Sequence, residues 1–183
     1  MPCLVWSRER RSGFTFVELL VTLVIVGVLI GVGVPALSAM TRDARLTAFT
    51  NELHAAISLA RSEAIRRGQR VTLCVSRDGL QCSSDATTGW ESGWVMFPDR
   101  NGDIVRGADE QLIRSRGAAD AGLSARGNGT LARYITYMPS GATRSATGAL
   151  QMGTLRICED DSQRALVINA AGRVRAERQQ GCD

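Results

Sequence analysis

The sequence predicts an α+β fold: one long N-terminal helix, apolar at first and amphipathic later, packed on an antiparallel sheet. Three observations predict it. An apolar run follows the first residues, a stripe of apolar residues at three- and four-residue spacing follows that run, and only short β-branched segments divided by Gly-, Asp- and Ser-rich turns come after.

The first element is the apolar run. Residues 1–13, MPCLVWSRERRSG, carry Arg8, Arg10 and Arg11 just ahead of it. From Phe14 to Val34 the run holds about 20 residues, a length that predicts a membrane-crossing helix with its basic flank on the cytoplasmic side. No small-residue cleavage site follows it, so a secretory signal is disfavoured. Glu18 lies inside the run, where a carboxylate is expensive and calls for either water or a cationic partner. Pro35 closes the run and is able to kink a helix.

From Ala36 to Arg67 the pattern becomes amphipathic. Leu46, Phe49, Leu53, Ile57, Ala60 and Ala64 form one stripe, while Arg42, Arg45, Asn51, Glu52, Arg61 and Arg66 mostly face elsewhere. Gly68 is the expected C-terminal cap. Strands are predicted over 71–76, 93–97, 112–115, 133–138, 154–158 and 164–169, with a last short one around Val174. The stretch 118–129 has little apolar bulk and reads as a mobile loop.

Lys+Arg is 22 and Asp+Glu is 18, a net charge of +4, and every basic residue is Arg. This balance is too mild to imply a nucleic-acid partner without a local cluster. Of five cysteines, Cys3 lies in the segment ahead of the apolar run, which is expected to be removed, leaving Cys74, Cys82, Cys158 and Cys182 with three possible pairings. Cys74–Cys82 is favoured because it flanks the turn-forming Arg77-Asp78-Gly79. Cys158–Cys182 would tie the tail to a late strand. The alternative is a set of reduced thiols. No pair has C-x-x-C spacing.

Catalytic and metal readings are weak. His54 is the only histidine and lies on the predicted helix, so no Ser-His-Asp set is available. Asp99, Asn101, Asp103 and Asp109 open like a calcium loop, with Glu110 at the twelfth place, but Ile104 occupies the place that needs glycine. A turn whose side chains cap its own backbone is the better reading, and no metal or cofactor is expected. Trp90, Trp94 and Phe97 read as core, with Trp94 inward and Trp90 partly covered, against the alternative of an adhesive patch.

Gly13-Phe14-Thr15-Phe16-Val17-Glu18 and the run to Pro35 resemble the class III signal of type IV pilins and pseudopilins. The resemblance implies a leader, residues 1–13, removed by a prepilin peptidase between Gly13 and Phe14. It implies N-methylation of Phe14 and an assembly role for Glu18, by pairing with the amino group of a neighbour. Residues 14–35 would be the transmembrane and assembly helix, and residues 36–183 the head, including its amphipathic helix 36–67. The stretches 89–97, 99–102, 135–141 and 170–174 resemble the GspH/FimT family of minor pseudopilins and minor pilins. That likeness implies a pilin-like, β-sandwich-like head and a non-enzymatic subunit near the tip of a pilus or a type II secretion pseudopilus. Its expected partners are major and minor pilins, the prepilin peptidase and an inner-membrane assembly platform. Its expected place is the inner membrane, spanned once, with the head in the periplasm before assembly into a filament. Gly172-Arg173-Val174-Arg175, with Arg178, resembles the Gly-Arg-x-Arg motif of DNA-binding minor pilins and implies DNA uptake as an alternative role. The competing reading is a solvated edge strand.

Overall fold

A computed structural model describes residues 13–182. Residues 1–12, which hold most of the expected leader, lie outside the described residues. The chain divides into two units, Met1–Thr41 and Arg42–Asp183.

Helix α1 (Phe16–Arg67) begins at Thr15, whose Oγ1 accepts the Glu18 backbone N–H at 3.2 Å. Thr15-x-x-Glu18 is the spacing of a capping box, and a carboxylate in the first turn also suits the helix dipole. The helix ends at Gly68, which takes φ +61° and donates its N–H to the Ile65 carbonyl at 3.3 Å. Arg66 and Arg67 lie in the last turn, and both reach Glu63. Those contacts hold the Glu63 carboxyl below its ordinary range.

In the first unit the described apolar side chains are exposed, from Phe14 at 82% to Met40 at 71%. The expected single-pass anchor in the inner membrane is corrected here. Among the described residues no helix is long and apolar enough to cross a membrane.

The second unit holds two four-stranded antiparallel sheets. The first contains β1 (Val71–Val75), β2 (Trp94–Pro98), β3 (Arg114–Arg116) and β5 (Tyr134–Tyr137), in the order β3-β2-β1-β5. The second contains β4 (Leu123–Gly127), β6 (Gly153–Glu159), β7 (Ser162–Ile168) and β8 (Val174–Gln180), in the order β4-β6-β7-β8. Alternation sends Val71, Leu73, Val75, Trp94, Met96, Ile135 and Tyr137 of the first sheet into the main core. Leu155, Ile157, Leu166 and Ile168 enter the same core from the second sheet, and the α1 stripe from Leu46 to Ala64 completes it. Cys74, Val95 and Phe97 point the other way into a small second cluster.

Two elements differ from expectation. Residues 123–127, expected as loop, form the edge strand β4, pairing Leu123 with Glu159 through Gly127 with Leu155. An edge strand needs little apolar bulk, and here Ala125 alone is fully buried. The last strand is seven residues long rather than a stub, because β7 offers a full ladder from Ile168 to Ser162.

Charged contacts fix the first turns of the amphipathic segment. Arg42 pairs with Asp160, Asp43 with Arg164 at 2.6 Å, and Arg45 with Glu159 at 3.8 Å, all at the β6–β7 hairpin. Farther along, Glu52 pairs with Arg116 at 2.7 Å, and that guanidinium lies 4.9 Å from the Phe49 ring centre.

The structure joins Cys74 to Cys82 and Cys158 to Cys182. The bonds close separations of 8 and 24 residues, so in the chain-entropy model they contribute about 2.5 and about 3.5 kcal/mol. The expected outcome is that Cys158→Ala with Cys182→Ala lowers unfolding free energy by more than Cys74→Ala with Cys82→Ala. Urea titrations of both double variants check it, and equal losses would defeat the loop-length argument.

Candidate functional site

The residues expected at the processing site belong to the first unit. Gly13 and Phe14 precede the helix, and Glu18 occupies its first turn with its side chain exposed. The Glu18 backbone is held by Thr15. Within a single chain this carboxylate therefore has a local reason to be where it is, before any neighbour is considered.

The tail site is built on the turn between β7 and β8. The Gly172 N–H donates to the Asn169 carbonyl at 2.8 Å, and the Arg173 N–H donates to Asn169 Oδ1 at 3.0 Å. Gly172 has φ +77°, and a Cβ there would lie 2.0 Å from the Gly141 carbonyl oxygen. Only glycine fits. Two side chains hold this turn from beneath. Tyr137 donates its hydroxyl to the Gly172 carbonyl at 3.2 Å, and Arg61 Nη2 donates to the Ala171 carbonyl at 3.1 Å. Burial pushes the Tyr137 phenol well above its ordinary value, with the Arg61 charge opposing.

Arg173 thus leaves a rigid turn and is exposed. It stands between two concavities of about 420 Å³ each. One is shared with Arg175, Asn169 and Val167, the other with His54, Ser58, Arg61 and Ser62 of α1. The three tail arginines are not equivalent. Arg173 precedes β8, Arg175 is on it and pairs with Glu177 at 2.9 Å, and Arg178 falls on the opposite strand face from Arg175. Arg61 belongs to this site although its sequence position gave it no role. A usable signal was there: Arg61 has no carboxylate at three- or four-residue spacing, whereas Arg66 and Arg67 both have Glu63.

The calcium-like segment is satisfied by its own chain. Asp99 is buried and accepts from Thr72 Oγ1 at 2.7 Å and from the Gly102 N–H at 2.8 Å. Glu110, also buried, accepts the N–H groups of Arg100 and Gly107 at 2.8 and 2.9 Å. Among the described residues no His, Cys, Asp and Glu group is arranged to hold a metal ion. Trp90 and Trp94 are both fully buried, so Trp90 is core rather than partly covered. Its indole N–H donates to the Leu131 carbonyl at 2.8 Å.

Comparison with known proteins places these features. The family model described as type II transport protein GspH matches residues 50–172. The prokaryotic N-terminal methylation motif matches residues 8–34. Among curated proteins none matches the chain. The type IV minor pilin FimU of Pseudomonas aeruginosa is similar in two crystal forms. Identities are 24% and 22%, TM-scores 0.58 and 0.54, with 79% and 75% of this chain covered and 99% of that chain in both. The minor pseudopilin EpsH from the type 2 secretion system of Vibrio cholerae is similar at 14% identity and TM-score 0.50, covering 73% of this chain and 97% of that one. At these identities the structures show the fold, which is α+β and pilin-like.

The Tyr137 hydroxyl gives the site a measurable signature. Its folded-state pKa is raised, so the stability it contributes is complete below the unfolded phenol's value of about 10 and is lost as pH rises above it. Tyr137→Phe should cost about 1 kcal/mol at neutral pH by stranding the Gly172 carbonyl. It should also flatten the loss of stability above about pH 10. Denaturant midpoints across the alkaline range check both, and parallel profiles for the two proteins would refute the assignment.

Proposed function

This chain belongs to the family of the type II transport protein GspH, and on that premise we propose that it is a minor subunit assembled with other pilin-like chains into a filament, near its tip. The observation that carries the reading is the first unit. Its described apolar residues from Phe14 to Met40 are exposed on all sides of the helix. A helix apolar all round needs a cover. Since no described helix is long and apolar enough to cross a membrane, the cover assigned here is the equivalent helices of neighbouring subunits. A structural subunit needs no catalytic group, and the family is not enzymatic. The reading serves a pilus or a secretion pseudopilus equally, since the fold is found in a minor subunit of each.

The match over residues 8–34 supports a maturation step. In this reading a prepilin peptidase removes residues 1–13 at Gly13/Phe14, Phe14 is N-methylated, and the Glu18 carboxylate of one subunit meets the new ammonium of another. Pairing offsets the several kcal/mol that either charge would cost when enclosed alone among apolar helices. DNA uptake through Arg173, Arg175 and Arg178 is the second reading. Arg173 and Arg178 favour it, since neither faces a carboxylate among the described residues, while the Glu177 partner of Arg175 opposes it.

Two measurements test maturation and assembly. Intact-mass analysis of the protein from filaments should show loss of residues 1–13 and one added methyl group, and a retained leader would overturn the processing scheme. Glu18→Gln keeps a residue suited to the capping box but removes the charge. It should fold normally and be depleted from sheared filaments. Normal recovery of that variant would show that Glu18 serves the helix start alone.

A further inference from the structure

We propose that the groove between α1 and the start of β8, lined by His54, Ser58, Arg61, Ser62, Arg173 and Val174, binds a carboxylate-bearing segment of a neighbouring subunit. The identity of that partner rests on the filament reading. The chemistry of the groove rests on its own residues.

Of the five arginines on α1, four face carboxylates: Arg42, Arg45, Arg66 and Arg67. Arg61 does not. One of its N–H groups is spent on the Ala171 carbonyl, and its Nε is buried without a partner. The guanidinium is thereby fixed in place beside the groove, with Nη1 lacking a protein acceptor among the described residues. Arg173, opposite it, likewise faces no carboxylate among the described residues. Among the described residues no acidic side chain lines the groove. His54, Ser58, Arg61 and Ser62 fall at helical spacing on one face, so Ser58 adds a hydroxyl beside the two cations.

This arrangement suits a carboxylate better than a nucleic-acid backbone. A carboxylate is planar and small, matches the fork of one guanidinium, and is strengthened by a second cation nearby. Arg61 is held at the Ala171 carbonyl by structure that forms on folding, so little of its ordering entropy is lost on binding, while Arg173 is placed by its backbone N–H. A phosphate backbone instead needs a track of cations, usually with aromatic rings between them. Beyond Arg173 the track stops, because Arg175 is neutralised by Glu177 and Arg178 falls on the other face of β8. Val174 gives the groove an apolar wall, as expected for a side chain rather than a phosphate.

The test is a titration of the full-length chain against fluorescein-labelled hexaglutamate, with hexaglutamine and a short DNA duplex as comparison probes. Hexaglutamate should bind and hexaglutamine should not. Arg61→Gln and Arg173→Gln should each weaken binding about tenfold, as for loss of one charge-assisted contact. Arg178→Gln should leave it unchanged. Circular dichroism confirms folding, and if Arg61→Gln fails to fold, Arg173→Gln still decides, since that side chain is exposed. No binding by the unaltered chain, undiminished binding by folded variants, an equal loss in Arg178→Gln, or tighter Arg173-dependent binding of the duplex each overturns the proposal. Recovery of the unaltered protein in sheared filaments separately tests the filament reading. Its absence there, with hexaglutamate still bound at Arg61 and Arg173, would sink that reading and leave the carboxylate site standing.

Discussion

A single stripe on α1 has to serve two sheets at once. Leu46, Phe49, Leu53, Ile57, Ala60 and Ala64 share one core with the inward residues of both sheets. Each fully buried Leu, Ile or Phe in such a stripe contributes about 1.5–3 kcal/mol. The stripe is also graded in size. Its early positions are large and its late positions, Ala56, Ala60 and Ala64, are small. Small residues let strands approach the helix backbone closely, while Leu46 and Phe49 fill a wider space. Ala60 is fully buried in the core that both sheets share, so a large residue there would overpack it. The hairpin contacts of Arg42, Asp43 and Arg45 lie at the early end of the stripe. Arg42 and Arg45 are about half exposed, so their ion pairs add little stability. They select which hairpin meets which helical turn.

The functional turn depends on the same core. Tyr137 enters it from β5 and, from inside, donates its hydroxyl to the Gly172 carbonyl. Arg61 sits beside the stripe and reaches Ala171. The position of Arg173 is thus set by one core residue of the first sheet and one helix residue. Its own strand belongs to the second sheet. Anything that shifts the sheets against α1 moves the turn.

What the sequence made legible follows where burial is one-sided. The α1 stripe and strands β1, β2 and β5 show because alternating or helical apolar spacing is the imprint of a half-buried surface. β4 and most of β8 carry no such imprint. They are edge strands, held by ladder hydrogen bonds that leave no compositional mark, and Ser124, Arg126, Arg175 and Arg178 all face water. Trp90 was hard to place for another reason. It lies in a short 3-10 turn, where neither period applies, and its burial follows from Leu131, forty-one residues away. In the sequence Arg61 stood out only by lacking a carboxylate at three- or four-residue spacing. Its significance lies in a missing counter-ion, which is a property of three-dimensional neighbours. The membrane-spanning expectation rested on the length of the apolar run in the sequence, whereas among the described residues no helix is long and apolar enough to cross a membrane.

The two units call for different kinds of partner recognition. The exposed apolar helix of the first unit offers a non-directional driving force, proportional to area and indifferent to which apolar helix covers it. Such a surface is strong but unselective. A minor subunit must instead be placed beside particular neighbours, and that requires a term which rejects wrong ones. Charge in a partly enclosed groove supplies it, because leaving a guanidinium opposite an apolar or cationic surface is penalised while a carboxylate is accepted. Arg61 is already held at Ala171 in the chain alone, so the selective contact does not depend on first assembling the unselective one. Affinity would then come chiefly from the helix of the first unit, and the choice of neighbour from the turn that Tyr137, Gly172 and Arg61 fix in the second.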